Sequence, residues 1–219
     1  MFLYNSPQQL EFPMSEHLYT FINPTNPKHL DKIDQILQNH GVVALPMGTS
    51  WAFCCNYMSK KGIDKLRKLN PSHPDDRPFS LICNEISMIS HVGSVGNQNY
   101  RTLNKLFPGP FTAILNSNRQ LSKRLGEKRQ TVGVRIPNEP LTLDIVSHHG
   151  EPLVATSVPV MDDGQMMTMG YQVFEEHGHA IDMVIDLGDD LPGTETTVLD
   201  LTGEEIVVVR EGSGSLEVL

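Results

Sequence analysis

The sequence predicts a single α/β domain. Short apolar or alternating runs with the signature of strands interleave with stretches of helical spacing along the whole chain. No composition break, linker or internal repeat divides them, and 219 residues with 39% hydrophobic content are enough for one substantial core.

In chain order, residues 1–18 mix Pro, Gln, Ser and Glu and read as a loosely held lead-in. The domain proper spans 19–214, and 215–219 form a short tail. Leu30, Ile33, Ile36 and Leu37 repeat at helical spacing between Asn26-Pro27, a start signal, and Gly41, a stop signal. Residues 42–46 make a buried strand ending in Pro46, and the loop 47–50 leads into a second apolar run from Trp51 to Cys55. A basic amphipathic helix follows over 63–69, with Ile63, Leu66 and Leu69 inward and Lys65, Arg67 and Lys68 outward. After the proline-rich loop 70–78 comes a strand at 79–83, then helix in two pieces over 84–106, broken by Gly93 and Gly96. Phe107-Pro-Gly-Pro110 is a turn, and 111–115 is a strand.

Thr131-Val-Gly-Val-Arg-Ile-Pro137 is the most informative strand. Its β-branched residues suit a pleated, packed surface, and Pro137, lacking an N–H, ends it. Arg135 therefore sits rigidly at a sheet rim, as an edge-strand ion pair or as a ligand group. Helix at 140–149, strand at 152–157, a Met- and Asp-rich loop at 161–170, a short helix at 171–177 and strands at 183–187, 196–201 and 206–210 complete the chain.

The formal charge of −9 is unevenly placed. Lys60 to Arg135 holds 14 of the 17 Lys and Arg against five acids, while residues from Glu139 onward hold 17 acids and only Arg210 as a base. The net charge favours solubility, and the middle segment offers a basic face for RNA, with Lys65, Arg67, Lys68, Lys123, Arg124, Lys128 and Arg129 as candidates. No apolar run reaches the length of a membrane helix, and the amino terminus has no basic flank with an apolar core. Both features predict a cytoplasmic chain without a membrane partner. Nothing in the sequence specifies the oligomeric state.

Three cysteines cannot pair evenly, and adjacent Cys54 and Cys55 point to opposite faces of a strand, so buried free thiols are expected. The pairs His148-His149 and His177-Gly-His179 have no cysteine or carboxylate at ligand spacing, and no metal site is expected. The chain has no phosphate-cradling glycine loop with Lys-Ser/Thr and no Gly-x-Gly-x-x-Gly after a strand. Hydroxyl residues and arginines do recur at strand ends: Thr49, Arg77, Thr112, Thr131, Arg135, Thr156, Ser157, Thr196 and Arg210. In α/β sheets ligands bind beyond strand ends, so this pattern points to an anionic ligand.

The motifs in order resemble the YrdC/YciO family of threonylcarbamoyl-adenylate synthase-like domains. The resemblance covers residues 19–214. It rests on Gly-Val-Val-Ala-Leu-Pro46, Phe-Pro-Gly-Pro-Phe-Thr-Ala-Ile-Leu115, the Thr131–Pro137 strand, Pro-Leu-Val-Ala-Thr-Ser157, Thr-Thr-Val-Leu-Asp-Leu-Thr202 and Arg210-Glu-Gly212. It implies a twisted mixed β-sheet with flanking helices and a concave binding face, related in fold to DHBP synthase. It also implies a nucleotide and substrate site at Thr49, Trp51, Arg77, Thr131, Arg135, Ser157, Thr196 and Arg210. Active members combine ATP, L-threonine and bicarbonate into threonylcarbamoyl-AMP and pyrophosphate for tRNA modification. ATP with Mg2+ would then be a substrate, with no built-in cofactor, and the family has also been described as binding double-stranded RNA.

Three family motifs are altered. The Pro-Thr-Asp/Glu-Thr/Ser-x-Tyr stretch reads Pro46-Met-Gly-Thr-Ser-Trp51, Lys-x-Arg aligns with Asn70-Pro-Ser72, and Ser-x-Asn becomes Ser157-Val-Pro159. The resemblance therefore implies a divergent member nearer the YciO branch. Three readings stay open: a nucleotidyltransferase of the threonylcarbamoyl-AMP synthase type, a non-catalytic double-stranded RNA or tRNA module, and a degenerate domain binding another small anion.

Overall fold

The structure, a computed structural model, describes residues 15–21, 25–73, 79–118 and 130–219. Arg77, Lys123, Arg124, Lys128 and Arg129 lie outside the described residues.

Among the described residues the strands form one mixed ten-stranded sheet in the order β1-β8-β2-β3-β7-β4-β6-β5-β9-β10. Its strands are β1 (Glu16–Tyr19), β2 (Val43–Pro46), β3 (Trp51–Asn56), β4 (Ser80–Ile82), β5 (Phe111–Asn116), β6 (Thr131–Arg135), β7 (Leu153–Ser157), β8 (Met183–Asp186), β9 (Thr197–Asp200) and β10 (Val207–Arg210). Helices α1 (Pro27–Gln38), α2 (Lys60–Leu69), α3 (Ile86–Ser90), α4 (Asn97–Leu106), α5 (Pro140–His149) and α6 (Gly170–His177) flank it. The expected α/β class, the interleaved elements and the break between α3 and α4 are all present. No helix among the described residues is long and apolar enough to cross a membrane.

Local signals explain the helix ends. The Asn26 side chain accepts from the Lys28 N–H and Pro27 occupies the first turn, while the left-handed Gly150 (φ 76°) closes α5. One departure is at the amino terminus. Residues 16–18, read from composition as the end of the lead-in, form β1 together with Tyr19 and pair in parallel with β8, where the His17 ring meets the buried Asp186 carboxylate at 2.9 Å. Four residues with no local pattern are recruited by the free edge of β8 and by that contact.

Residues matched across a ladder share a face, and neighbours along a strand take opposite faces. The register therefore divides the sheet. Phe53, Cys55, Val154, Leu81, Val132 and Val134 share one face. Helix α2 packs on that face, with Gly62 against the Cys55 side chain, and Gly93, between α3 and α4, lies against Leu115 and Val132. The other face carries a floor of small side chains at Ala52, Ala155, Ser80 and Gly133, and at one end of it Arg135 and Thr112 share a row with the buried Ile82 and Leu153.

All three cysteines are free and buried. Burial pushes the Cys55 thiol up to about 12 and the Cys54 and Cys83 thiols higher still, so none is a nucleophile at neutral pH.

Candidate functional site

Arg135 closes β6 and is buried, with 9% of its surface exposed. Among the described residues its Nη2 donates only a long, weak hydrogen bond, 3.5 Å, to Thr49 Oγ1, and its Nε is buried with no partner. Desolvation lowers the guanidinium pKa to about 10; nearby Cys54 opposes this and nearby Arg210 adds to it. The group remains cationic at neutral pH. A buried cation with neither a carboxylate nor a full set of acceptors is costly to the fold. It is the feature most characteristic of a binding site.

Sheet coiling brings the rest of the site to it. β2 and β6 stand four strands apart, about 19 Å on a flat sheet. Arg135 reaches Thr49, three residues beyond β2, because the sheet twists and coils into a concave surface. Gly48 makes this approach possible. Its φ of 73° lies in the left-handed region, and a Cβ there would stand 2.8 Å from the Asn138 carbonyl oxygen. The β2–β3 tip is thus seated on the segment after β6.

Further hydroxyls lie along this rim. Thr112 and Thr196 hydroxyls are 3.0 Å apart and buried, and the Thr194 N–H donates to the Thr49 carbonyl at 3.0 Å. Arg210 holds this rim in place: Nε and Nη2 donate to the Thr196 carbonyl at 3.2 and 3.0 Å, Nη2 also to its hydroxyl at 3.3 Å, and Nη1 to Glu195 at 2.9 Å. Arg135, Thr49, Thr196 and Arg210, expected from the sequence, are therefore brought together.

Three other candidates sit elsewhere. Thr131 shares the face of Arg135 but opens the strand that Arg135 closes, about 13 Å away along it, opposite Asn116. Ser157 is exposed at the other end of the floor, opposite Ala52. Trp51 does not join the ligand face: it is 2% exposed, projects to the opposite face by strand alternation, and its indole N–H donates to the Thr168 carbonyl at 3.0 Å. Its aromaticity serves the core.

At the position of the family's Lys-x-Arg, the structure has a neutral, self-satisfied group. Asn70 is buried, its Nδ2 donating to Thr156 Oγ1 at 3.0 Å and to the Ser157 carbonyl at 3.1 Å, while the Ser72 hydroxyl donates to its Oδ1 at 2.7 Å. On α2, Lys65 lies 3.4 Å from Asp182 and Arg67 3.4 Å from Asp64, while Lys68 is exposed. The acidic carboxy-terminal part therefore reaches into the basic helix. The paired histidines also find carboxylates that spacing did not reveal: His148 meets Asp31 at 3.0 Å and His149 meets Asp34 at 2.6 Å, joining α5 to α1.

The sequence reading missed Glu139. It is buried just before α5, and its Cβ stands 3.9 Å from where a Cβ on Gly48 would lie. Burial raises its carboxyl above the ordinary range, a hydrogen bond from the Leu141 N–H opposes this, and the Asp189 charge adds to the rise. Between the ordinary and raised values the native state binds more protons than the unfolded chain, so this group's contribution to stability falls as pH rises through that window. Glu139→Gln, uncharged throughout, is expected to gain thermal stability over wild type as pH rises above the ordinary carboxylate range. Melting temperatures measured across pH check this, and a difference that does not change with pH would contradict it.

The chain is similar to several known proteins. The Sua5/YciO/YrdC family model, described as "Telomere recombination", matches residues 35–212. An uncharacterized protein of Haemophilus influenzae is 34% identical over 92% of this chain and 98% of its own length. YciO of Escherichia coli K12 is 30% identical over 93% and 98%. The crystal structure of E. coli YciO superposes with a TM-score of 0.84 at 27% identity, covering 94% of this chain and 99% of that one. A threonylcarbamoyl-AMP synthase of Bacillus subtilis is 27% identical over 86% of this chain, which spans 54% of that longer protein. P. abyssi Sua5, crystallised in complex with L-threonine, shares the fold at a TM-score of 0.79 and 20% identity, covering 92% of this chain and 58% of that one.

Proposed function

The chain belongs to the Sua5/YciO/YrdC family, and from that premise we propose that its concave face binds an amino-acid carboxylate of the L-threonine type at Arg135 and an adenylate along the floor of small residues. The observation that carries this reading is the buried Arg135 guanidinium, with its unpartnered Nε and its single weak hydrogen bond to Thr49 among the described residues. A carboxylate would supply the paired acceptors that the planar fork lacks. The L-threonine bound by P. abyssi Sua5 and the activity of the B. subtilis synthase support this substrate class.

The triphosphate end is different. Asn70 and Ser72 spend their hydrogen-bonding capacity on each other and on the end of β7, and neither brings a positive charge for departing pyrophosphate. Phosphoryl-site cations act on charge that develops in the transition state, so their loss weakens adenylate formation more than adenylate binding. The proposed protein engages threonine and AMP-type ligands and forms threonylcarbamoyl-AMP from ATP slowly or not at all.

A thermal-shift panel with L-threonine, AMP, ATP with Mg2+ and tRNA tests this, run beside an assay for pyrophosphate release dependent on threonine and bicarbonate. A ligand at 100 times its Kd adds about 2.7 kcal/mol to the native state, or about 5–10 °C for a domain of this size. Shifts with threonine and AMP, none larger with ATP, and little pyrophosphate are expected. Silence with both threonine and AMP sinks the reading. A shift with tRNA alone that collapses as salt is raised would replace it with the RNA-binding reading, to which the exposed Lys68 would contribute.

A further inference from the structure

Two arginines stand at one rim, and among the described residues only one of them has a carboxylate. Arg135 is buried and makes no ion pair there, whereas Arg210 Nη1 meets Glu195 Oε1 at 2.9 Å. Hydroxyls and charge link the two cations. Arg210 Nη2 donates to Thr196 Oγ1, which lies 3.0 Å from Thr112 Oγ1, and Arg210 contributes to the lowered pKa of Arg135. Nε and Nη2 of Arg210 are committed to Thr196, while Nη1, bonded to Glu195, keeps a second N–H for another acceptor. An anion arriving at this end of the rim therefore meets a cation that already holds a negative charge.

Resting on the adenylate reading above, we propose that Glu195 is a specificity-determining residue that neutralises Arg210, so that the site takes nucleotides of low charge and gains little from added phosphate. A carboxylate at hydrogen-bond distance cancels most of the arginine's field, and an incoming phosphate must displace it or approach against its repulsion. Removing the carboxylate leaves Arg210 anchored to Thr196 with its full charge offered to the ligand. The side chains of Arg210 and Glu195 are 42% and 52% exposed, so water and salt screen the pair and the effect is a few-fold one. Asn70 and Ser72, at the end of β7, bring no cation either, which acts in the same direction.

Calorimetric titration with adenosine and with AMP, which differ by one phosphate, tests this at neutral pH and low salt. Wild type is expected to bind AMP within about threefold of adenosine. Glu195→Gln should widen the preference for AMP by about threefold to fivefold with adenosine affinity unchanged, and the gain should fade as salt is raised. Glu195→Asp, which keeps the charge, should keep the wild-type ratio. Glu211→Gln removes an exposed acid that follows Arg210 in sequence and forms no ion pair with it among the described residues, and should leave the ratio unchanged. Circular dichroism of each variant verifies the fold. Wild type that already prefers AMP by tenfold or more, or a Glu195→Gln variant with an unchanged ratio, overturns this inference alone. An equal gain from Glu211→Gln does so too, by reducing the effect to net charge. An equal loss of both ligands by Glu195→Gln also overturns it, making the residue a support for the Thr196 segment. If neither adenosine nor AMP binds wild type, the adenylate reading falls and the inference falls with it.

Discussion

Replacing Arg135 with methionine is expected to abolish the threonine-induced thermal shift while leaving the free protein as stable as wild type or more so. The two effects share one cause. Burial without a counter-charge pulls the guanidinium pKa down to about 10, which for a base means that the fold disfavours the charged form present at neutral pH. An apolar side chain of similar length removes that penalty, and exchanging buried ionic groups for packed hydrophobic ones is neutral or stabilising by about 1–4 kcal/mol. Binding moves the other way. Losing a desolvated charged hydrogen-bonding partner costs about 2–5 kcal/mol, which is about 30-fold or more in Kd. Arg135→Lys keeps the charge but loses the fork, and should recover only part of the affinity. Chemical denaturation and calorimetry on the same preparations measure both effects. A methionine variant that still binds threonine, or that loses several kcal/mol of stability, would show that Arg135 is a structural cation.

Trp51→Ala is expected to destabilise the fold by about 3–5 kcal/mol, because it empties a large buried volume and strands the Thr168 carbonyl that the indole N–H satisfies. This corresponds to a fall in Tm of about 10 °C. Trp51→Phe keeps most of the volume and should cost about 1–2 kcal/mol while retaining the threonine shift. The chain has one tryptophan, so circular dichroism rather than fluorescence follows the unfolding. A phenylalanine variant of normal stability that no longer binds ligand would return Trp51 to the ligand face.

Legibility differed by residue for physical reasons. The β6 strand, the proline-started α1 and α5, the glycine-closed α5 and the split between α3 and α4 rest on local chemistry and could be read from sequence. β1 could not, because four residues of mixed polarity become a strand only when β8 offers an edge. Arg135 stood out as a cation at a strand end, but its isolation depended on which residues failed to reach it. Thr131 illustrates the opposite error: a shared face was legible from the i, i+4 spacing, but shared face is not proximity, and the rise of an extended strand separates the two residues. Glu139 carried no motif and resembled an ordinary acid at a helix start. Only the fold sets it beside Gly48 at the β2–β3 tip.

By itself, the sequence determined the α/β class, the order of nearly all elements, the buried free thiols and the family motifs, all of which follow from short-range periodicity, turn chemistry and composition. Tertiary structure decided that Thr49 reaches Arg135, that Trp51 belongs to the core, that Asn70 is turned inward, and that Glu139 lies beside Gly48 at the tip bearing Thr49. Those outcomes depend on how far a ten-stranded sheet coils and on which strands lie side by side, and both are properties of contacts between residues distant in the chain.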